Sequence, residues 1–171
     1  MATKRLPEIP VDPPKEYFSS VGEVAIRWSR LEYQMSVLAR VGFKLGKDEQ
    51  RSLIIGMDMT TLTGVLRAVA QGWVKDRVLA RDLTALANDI AKLRNRRGDF
   101  VHGLYGHWLG RPQPWQLFKL KSPKQRGNIA SEQISPEIIS RFAADLRALQ
   151  VRAQDLTSRL KAVHGTKPWA A

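Results

Sequence analysis

Ala91-Lys92-Leu93-Arg94-Asn95-Arg96-Arg97-Gly98-Asp99-Phe100-Val101-His102-Gly103 closes an amphipathic helix, and the eleven positions from Lys92 to His102 gather four basic residues, an amide, a carboxylate and one of the chain's three histidines. The helix running into it carries Leu79, Leu83, Leu86, Ile90 and Leu93 at the four-three spacing of one helical face, and the stripe continues through Arg97, Phe100 and Leu104. Arg97 therefore stands where a core residue belongs. A guanidinium on an apolar stripe is costly to bury unless it is paired, so it marks a site or an interface more often than packing alone. Asp76 is placed to cap this helix, and cations at its far end are favoured by the helix dipole.

Toward the N-terminus two more helices are expected. Ser20-Val21-Gly22-Glu23 reads as a capping box opening the first, whose stripe is Val21, Val24, Trp28, Leu31, Met35 and Leu38, ended by Gly42 and Gly46. Asp48 is placed to cap the second at Glu49, with Leu53, Met57, Leu62, Leu66 and Val69 as its apolar face to about Trp73 and Thr60, Thr61 and Thr63 as a possible interruption. Ahead of these, Pro7, Pro10, Pro13 and Pro14 predict an extended arm that gains order only by docking.

Toward the C-terminus, Leu104–Leu109 and Trp115–Lys121 are aromatic-rich runs flanking Gly110-Arg111-Pro112-Gln113-Pro114, which reads as a hairpin with a Pro-rich loop. Ser122 to Ser131 offers little to bury and is expected to be a mobile basic loop. Ser135-Pro136-Glu137 then opens a last helix with stripe Phe142, Leu146, Leu149, Ala153, Leu156, Leu160 and Val163, stopped by Gly165 and Pro168. Helices apolar on one side bury those sides against one another, so the expected fold is all-α, a four-helix up-and-down bundle with a small β-hairpin insert between helices 3 and 4. The expected division is a flexible arm over 1–17, the bundle over 18–165 and a tail over 166–171.

The chain has 171 residues, enough for one core, with 28 Lys plus Arg against 16 acids and a formal charge of +12. From Lys92 to Arg126 there are nine basic residues and a single acid, Asp99, so eight of the twelve excess charges lie in one contiguous stretch. Charge so distributed points to nucleic acid, with Lys92, Arg111, Lys119 and Lys121 as RNA-binding candidates. Cysteine is absent, which excludes disulfides and thiolate chemistry; no His, Asp or Glu spacing suggests a metal, and no glycine fingerprint suggests a nucleotide cofactor, so neither metal nor cofactor is expected. No apolar run reaches the ~20 residues that span a bilayer, and no signal peptide is evident, so the expectation is a cytoplasmic protein without a membrane partner.

Arg97-Gly98-Asp99-Phe100-Val101-His102-Gly103 resembles the motif of the HEPN superfamily (higher eukaryotes and prokaryotes nucleotide-binding domains), in a free-standing prokaryotic form. That motif is an arginine, usually followed by a polar residue, then a histidine with four to six residues between it and the arginine, at the end of a bundle helix. Arg97 and His102 have four residues between them and Arg96 and His102 five, while the Arg-polar pair itself appears earlier, as Arg94-Asn95; Gly98 stands where Asn, Asp or His is usual. Arg94, Arg96 and Arg97 are all candidates for the family arginine. Trp28-Ser29-Arg30-Leu31-Glu32 is similar to a Trp-x-x-Leu-Glu run of related small proteins. The likeness spans Val21 to about Val163.

The resemblance implies a metal-independent endoribonuclease of toxin or defence type, acting as a homodimer whose motifs meet across one cleft and restrained by an antitoxin or regulatory protein. Cleavage without metal requires a base for the 2′-hydroxyl, a proton source for the leaving oxygen and a cation for the phosphorane. His102 suits the first or second task and Arg97 the third, through forked donors to phosphate. Asp99 is placed to orient the imidazole, and Asn95 to contact substrate or position the histidine, with Arg94 and Arg96 in support. Two other readings stand beside this one: a non-catalytic HEPN-like RNA- or nucleotide-binding or assembly domain, and a basic helical DNA-binding or scaffold protein. In the plainest reading His102 is a packed helix-end residue, Arg94 and Arg96 a solvated terminus, the tryptophans core, His107 a hairpin-lining residue and His164 a surface one.

Overall fold

A computed structural model describes residues 7–8, 12–46, 53–54, 56–108, 111–120 and 129–164. Four helices, α1 (Lys15–Phe43), α2 (Met59–Gly72), α3 (Arg77–His102) and α4 (Pro136–His164), form a helical bundle with a small β insert between the third and fourth. The strands are β1 (Pro7–Glu8), β2 (Leu104–Trp108), β3 (Arg111–Leu120) and β4 (Ile129–Gln133), antiparallel in the order β1-β2-β3-β4. Two compact units are distinguished, and α1, α3 and α4 contribute to both.

One unit comprises residues 27–95 and 145–171, and its described part is four helical segments. The expected stripes are its core: Trp28, Leu31, Met35, Leu38, Leu62, Leu66, Val69, Leu79, Leu83, Leu86, Ile90, Ala153, Leu156 and Leu160 are buried. A Cβ at Gly42 of α1 would stand 2.7 Å from a methyl of Val69, so the glycine lets α1 and α2 approach closely. Across α3 and α4, Arg152 pairs with Asp89 at 2.8 Å and Arg159 with Asp82 at 3.0 Å, partners spaced seven residues apart on each helix. Lys92 meets the same Asp89 at 3.2 Å, and Arg67 of α2 donates to Asn88 of α3 at 3.0 Å. Trp28 donates its indole N–H to Glu32 at 2.7 Å while Leu31 is fully buried, which gives the Trp-x-x-Leu-Glu run a packing role.

The second unit comprises residues 1–26 and 96–144, whose described elements are the start of α1, the last turns of α3, the sheet and the start of α4. Phe100, Leu117, Phe118, Ile134, Ile139 and Phe142 are buried in it, with Phe100 edge-on to Phe142 at 5.1 Å between ring centroids. Tyr17 donates to the Ile134 carbonyl at 3.0 Å, and Ser20 lies 3.3 Å from Ser140, hydroxyl to hydroxyl.

Four expectations are corrected. Helix α1 begins at Lys15, directly after Pro13-Pro14, so Ser20 is a buried interior residue rather than a cap and residues 15–17 are helical rather than arm. Pro7 and Glu8, also assigned to the arm, pair with Trp108 and His107. Helix α2 begins at Met59 under Asp58, which accepts from the Thr61 amide at 2.7 Å, so the threonines lie inside it; Leu53 is exposed, and Asp48 and Glu49 lie outside the described residues. The expected hairpin is present within the small antiparallel sheet, and it is the loop that is shorter: Ile129–Gln133, expected within and beyond a loop, is a strand paired with Gln116–Leu120. Pro112 and Pro114 fall within β3 but ahead of its segment paired with β4, where a missing N–H costs no ladder bond to that neighbour. Val163 is exposed, and His164 is half-buried, its imidazole lowered in pKa by desolvation and then by the nearby Lys44. The tail over 166–171 and most of the expected loop lie outside the described residues.

Candidate functional site

The apolar stripe of α3 remains buried through Ile90, Leu93 is half-buried, and Phe100 is again buried, so Arg97 is a half-buried interruption of a core face. Its guanidinium Nη1 lies 3.3 Å from Nε2 of His102. A guanidinium has no acceptor, so the imidazole must accept here: in the neutral ring Nε2 carries the lone pair and Nδ1 the proton. The two side chains meet across the last two turns of α3, which end at His102 on the exposed helix terminus.

Arg96, which the spacing allows equally, points elsewhere. It hydrogen-bonds Glu132 of β4 and lies over the Phe100 ring, 4.4 Å from guanidinium carbon to centroid. Lys119 of β3 donates to Asp99 at 2.7 Å and reaches Glu132 at 3.3 Å. Arg96, Glu132, Lys119 and Asp99 thus alternate in sign, each 28–32% exposed, with a formal sum of zero. Asp99 is therefore engaged by Lys119, and the orientation of His102 by Asp99 is not observed: a full positive charge from β3 is a stronger partner for a carboxylate than a neutral imidazole. Lys119 likewise meets protein carboxylates instead of standing out as a free cation.

The remaining cluster residues disperse. Arg94 hydrogen-bonds Thr60 and bears on Asp58, in the other unit. Asn95 is exposed, and Lys92 is occupied by Asp89 in an exposed pair worth little. The side chain of Arg111 and the whole of Lys121 lie outside the described residues. Trp108 packs edge-on to Phe118 at 5.1 Å, and Trp115 lies 5.5 Å from Tyr17 and 6.0 Å from His107, so both tryptophans are packing residues of the sheet.

No family model, curated protein or solved structure matches this chain. Among the described residues no group of three His, Asp or Glu is placed to hold a metal, and no helix is long and apolar enough to cross a membrane.

Two residues of this region carry no sequence motif. Tyr105 donates its phenol to the Phe100 carbonyl at 2.7 Å, satisfying an acceptor near the end of α3, and burial pushes its ionisation well above the ordinary tyrosine range. Glu132 joins Arg96 to Lys119. The available signal was its isolation, since it is the only acid between Asp99 and Glu137. Gly103 accepts no side chain, because a Cβ would collide with the Asp99 carbonyl oxygen and Leu117, whereas one at Gly98 meets nothing within 4 Å.

Proposed function

We propose that this chain is a HEPN-like, metal-independent endoribonuclease of toxin or defence type, active as a homodimer and held in check by an antitoxin or regulatory protein. The observation that carries the reading is the contact of Arg97 Nη1 with His102 Nε2 at an exposed helix end, where a neutral imidazole can accept through Nε2. A phosphate of RNA competes for the guanidinium through forked, charge-assisted hydrogen bonds, which frees Nε2. The nitrogen then takes the proton of a 2′-hydroxyl, O2′ attacks the adjacent phosphorus, and Arg97 stabilises the charge on the phosphorane oxygens. The 5′-oxygen departs with a proton taken from water and the imidazolium of His102 gives its own to the hydroxide so formed, leaving a 2′,3′-cyclic phosphate and a 5′-hydroxyl. Arg97 is favoured over Arg96 and Arg94 as the motif arginine, because it is the one whose guanidinium meets His102.

One observation favours a second reading, a non-cleaving RNA- or nucleotide-binding domain: Gly98 supplies no polar side chain where the resembled motif has one. Incubating a mixed RNA pool in EDTA with wild type, His102→Ala and Arg97→Ala separates the two. Cyclic-phosphate ends from wild type, lost in both variants while the fold and oligomeric state persist, are expected. Well-folded wild type that binds RNA without cutting it rules out the ribonuclease in favour of the second reading.

A further inference from the structure

A helix end is its least constrained part, since the last four carbonyls lack intrahelical donors. Arg97 and His102 both stand on that part of α3, and their mutual geometry depends on how the last two turns are held. The sheet holds them. Lys119 on β3 reaches back to Asp99, three residues before His102, and Glu132 on β4 takes Arg96, the neighbour of Arg97. Because Lys119 also meets Glu132, both strands act through one connected group of charges on the same turns of helix. The group is neutral as a whole and no more than about one-third exposed, so it adds little to attraction for phosphate.

We infer that Lys119, joined by Glu132, is a positioning residue: it fixes the final turns of α3 so that Arg97 and His102 face each other, and it does not contact RNA. This rests on the ribonuclease reading and gives the insert sheet a part in the chemistry. A displacement of about 1 Å at reacting groups costs up to ~100-fold in rate, so the clamp acts on turnover rather than on substrate affinity.

The test compares wild type, Lys119→Met, Lys119→Arg and the charge-balanced double variant Lys119→Met with Glu132→Gln, using single-stranded RNA in EDTA and imidazole-nitrogen NMR of His102. Lys119→Met is expected to lower kcat by about 10–100-fold with KM within about threefold, and to shift the His102 nitrogen signals. Lys119→Arg restores both, because a guanidinium can span the same two carboxylates. The double variant, which keeps the group neutral as a whole, repeats the loss of kcat if Lys119→Met is too unstable to assay. A raised KM with unchanged kcat makes Lys119 an RNA contact and overturns the inference. Unmoved His102 signals in a folded Lys119→Met protein overturn it as well. If wild type does not cleave, the ribonuclease reading alone fails, because the NMR comparison still tests whether Lys119 sets the geometry of the pair.

Discussion

Two glycines five residues apart at the end of α3 respond to the same substitution with opposite signs. Gly103 lies where the chain turns from α3 into β2, donating its amide to the Asp99 carbonyl at 2.8 Å, and an added Cβ collides with that carbonyl oxygen and with the fully buried Leu117. Overpacking a core costs about 1–3 kcal/mol, and a clash with backbone as well as a locked side chain belongs at the upper end, about 3 kcal/mol for Gly103→Ala. With about 2–4 °C per kcal/mol for a chain of this length, the midpoint falls by about 6–12 °C. Gly98 lies inside the helix, and its Cβ would meet nothing within 4 Å. Gly98→Ala relieves the backbone entropy of a mid-helix glycine and raises stability by about 0.5–1 kcal/mol. Urea titrations and thermal scans by circular dichroism measure both. Equal destabilisation by the two substitutions, or a neutral Gly103→Ala, would refute the placement of the α3 terminus against β3.

Phe100→Ala removes a ring that is 1% exposed, stacked edge-on to Phe142 and covered by Arg96, and is expected to cost about 3–5 kcal/mol in urea unfolding. Tyr105→Phe deletes the hydrogen bond to the Phe100 carbonyl and costs about 1 kcal/mol; in wild type, ultraviolet titration finds this phenol still neutral at pH values where an ordinary tyrosine has ionised. Hydrogen bonds from Arg152 and Lys92 hold Asp89 below the usual aspartate range, so its contribution is complete above the unfolded value of about 3.9 and is lost as pH falls through the lower folded one. The carboxylate is 40% exposed and screened, so the effect stays below about 1 kcal/mol; Arg152→Met should reduce the acid-side loss of urea midpoint, and an identical loss in both proteins counts against the assignment.

The helical core was readable because each stripe recurs on one face over many turns. Leu79, Leu83, Leu86 and Ile90 are all 1% exposed or less, and the capping role of Asp76 holds, with Oδ1 accepting from the Val78 and Leu79 amides at 2.8 and 3.1 Å. Boundaries were less legible where a local signal competed with tertiary structure. Ser20 and Glu23 form a plausible capping box, yet the helix continues through them, since Tyr17 upstream is buried and bonded to the Ile134 carbonyl. Ile129–Gln133 carries no alternation strong enough to announce a strand, and its ladder comes from β3. At the candidate site, spacing along α3 identified Arg97 and His102 but could not rank the arginines. Arg96 is engaged by a carboxylate 36 residues further along the chain, a contact no local pattern encodes.

The paired rungs between α3 and α4 bear on how the chain tolerates change. Asp82 with Arg159 and Asp89 with Arg152 advance by seven residues in opposite directions, so they fit one antiparallel alignment; sliding either helix by two turns strands one charge at each end. A connecting loop ordinarily fixes the alignment of two neighbouring helices, but here the helices carry their own key. The sheet between them is relieved of that duty and is left to hold the last turns of α3.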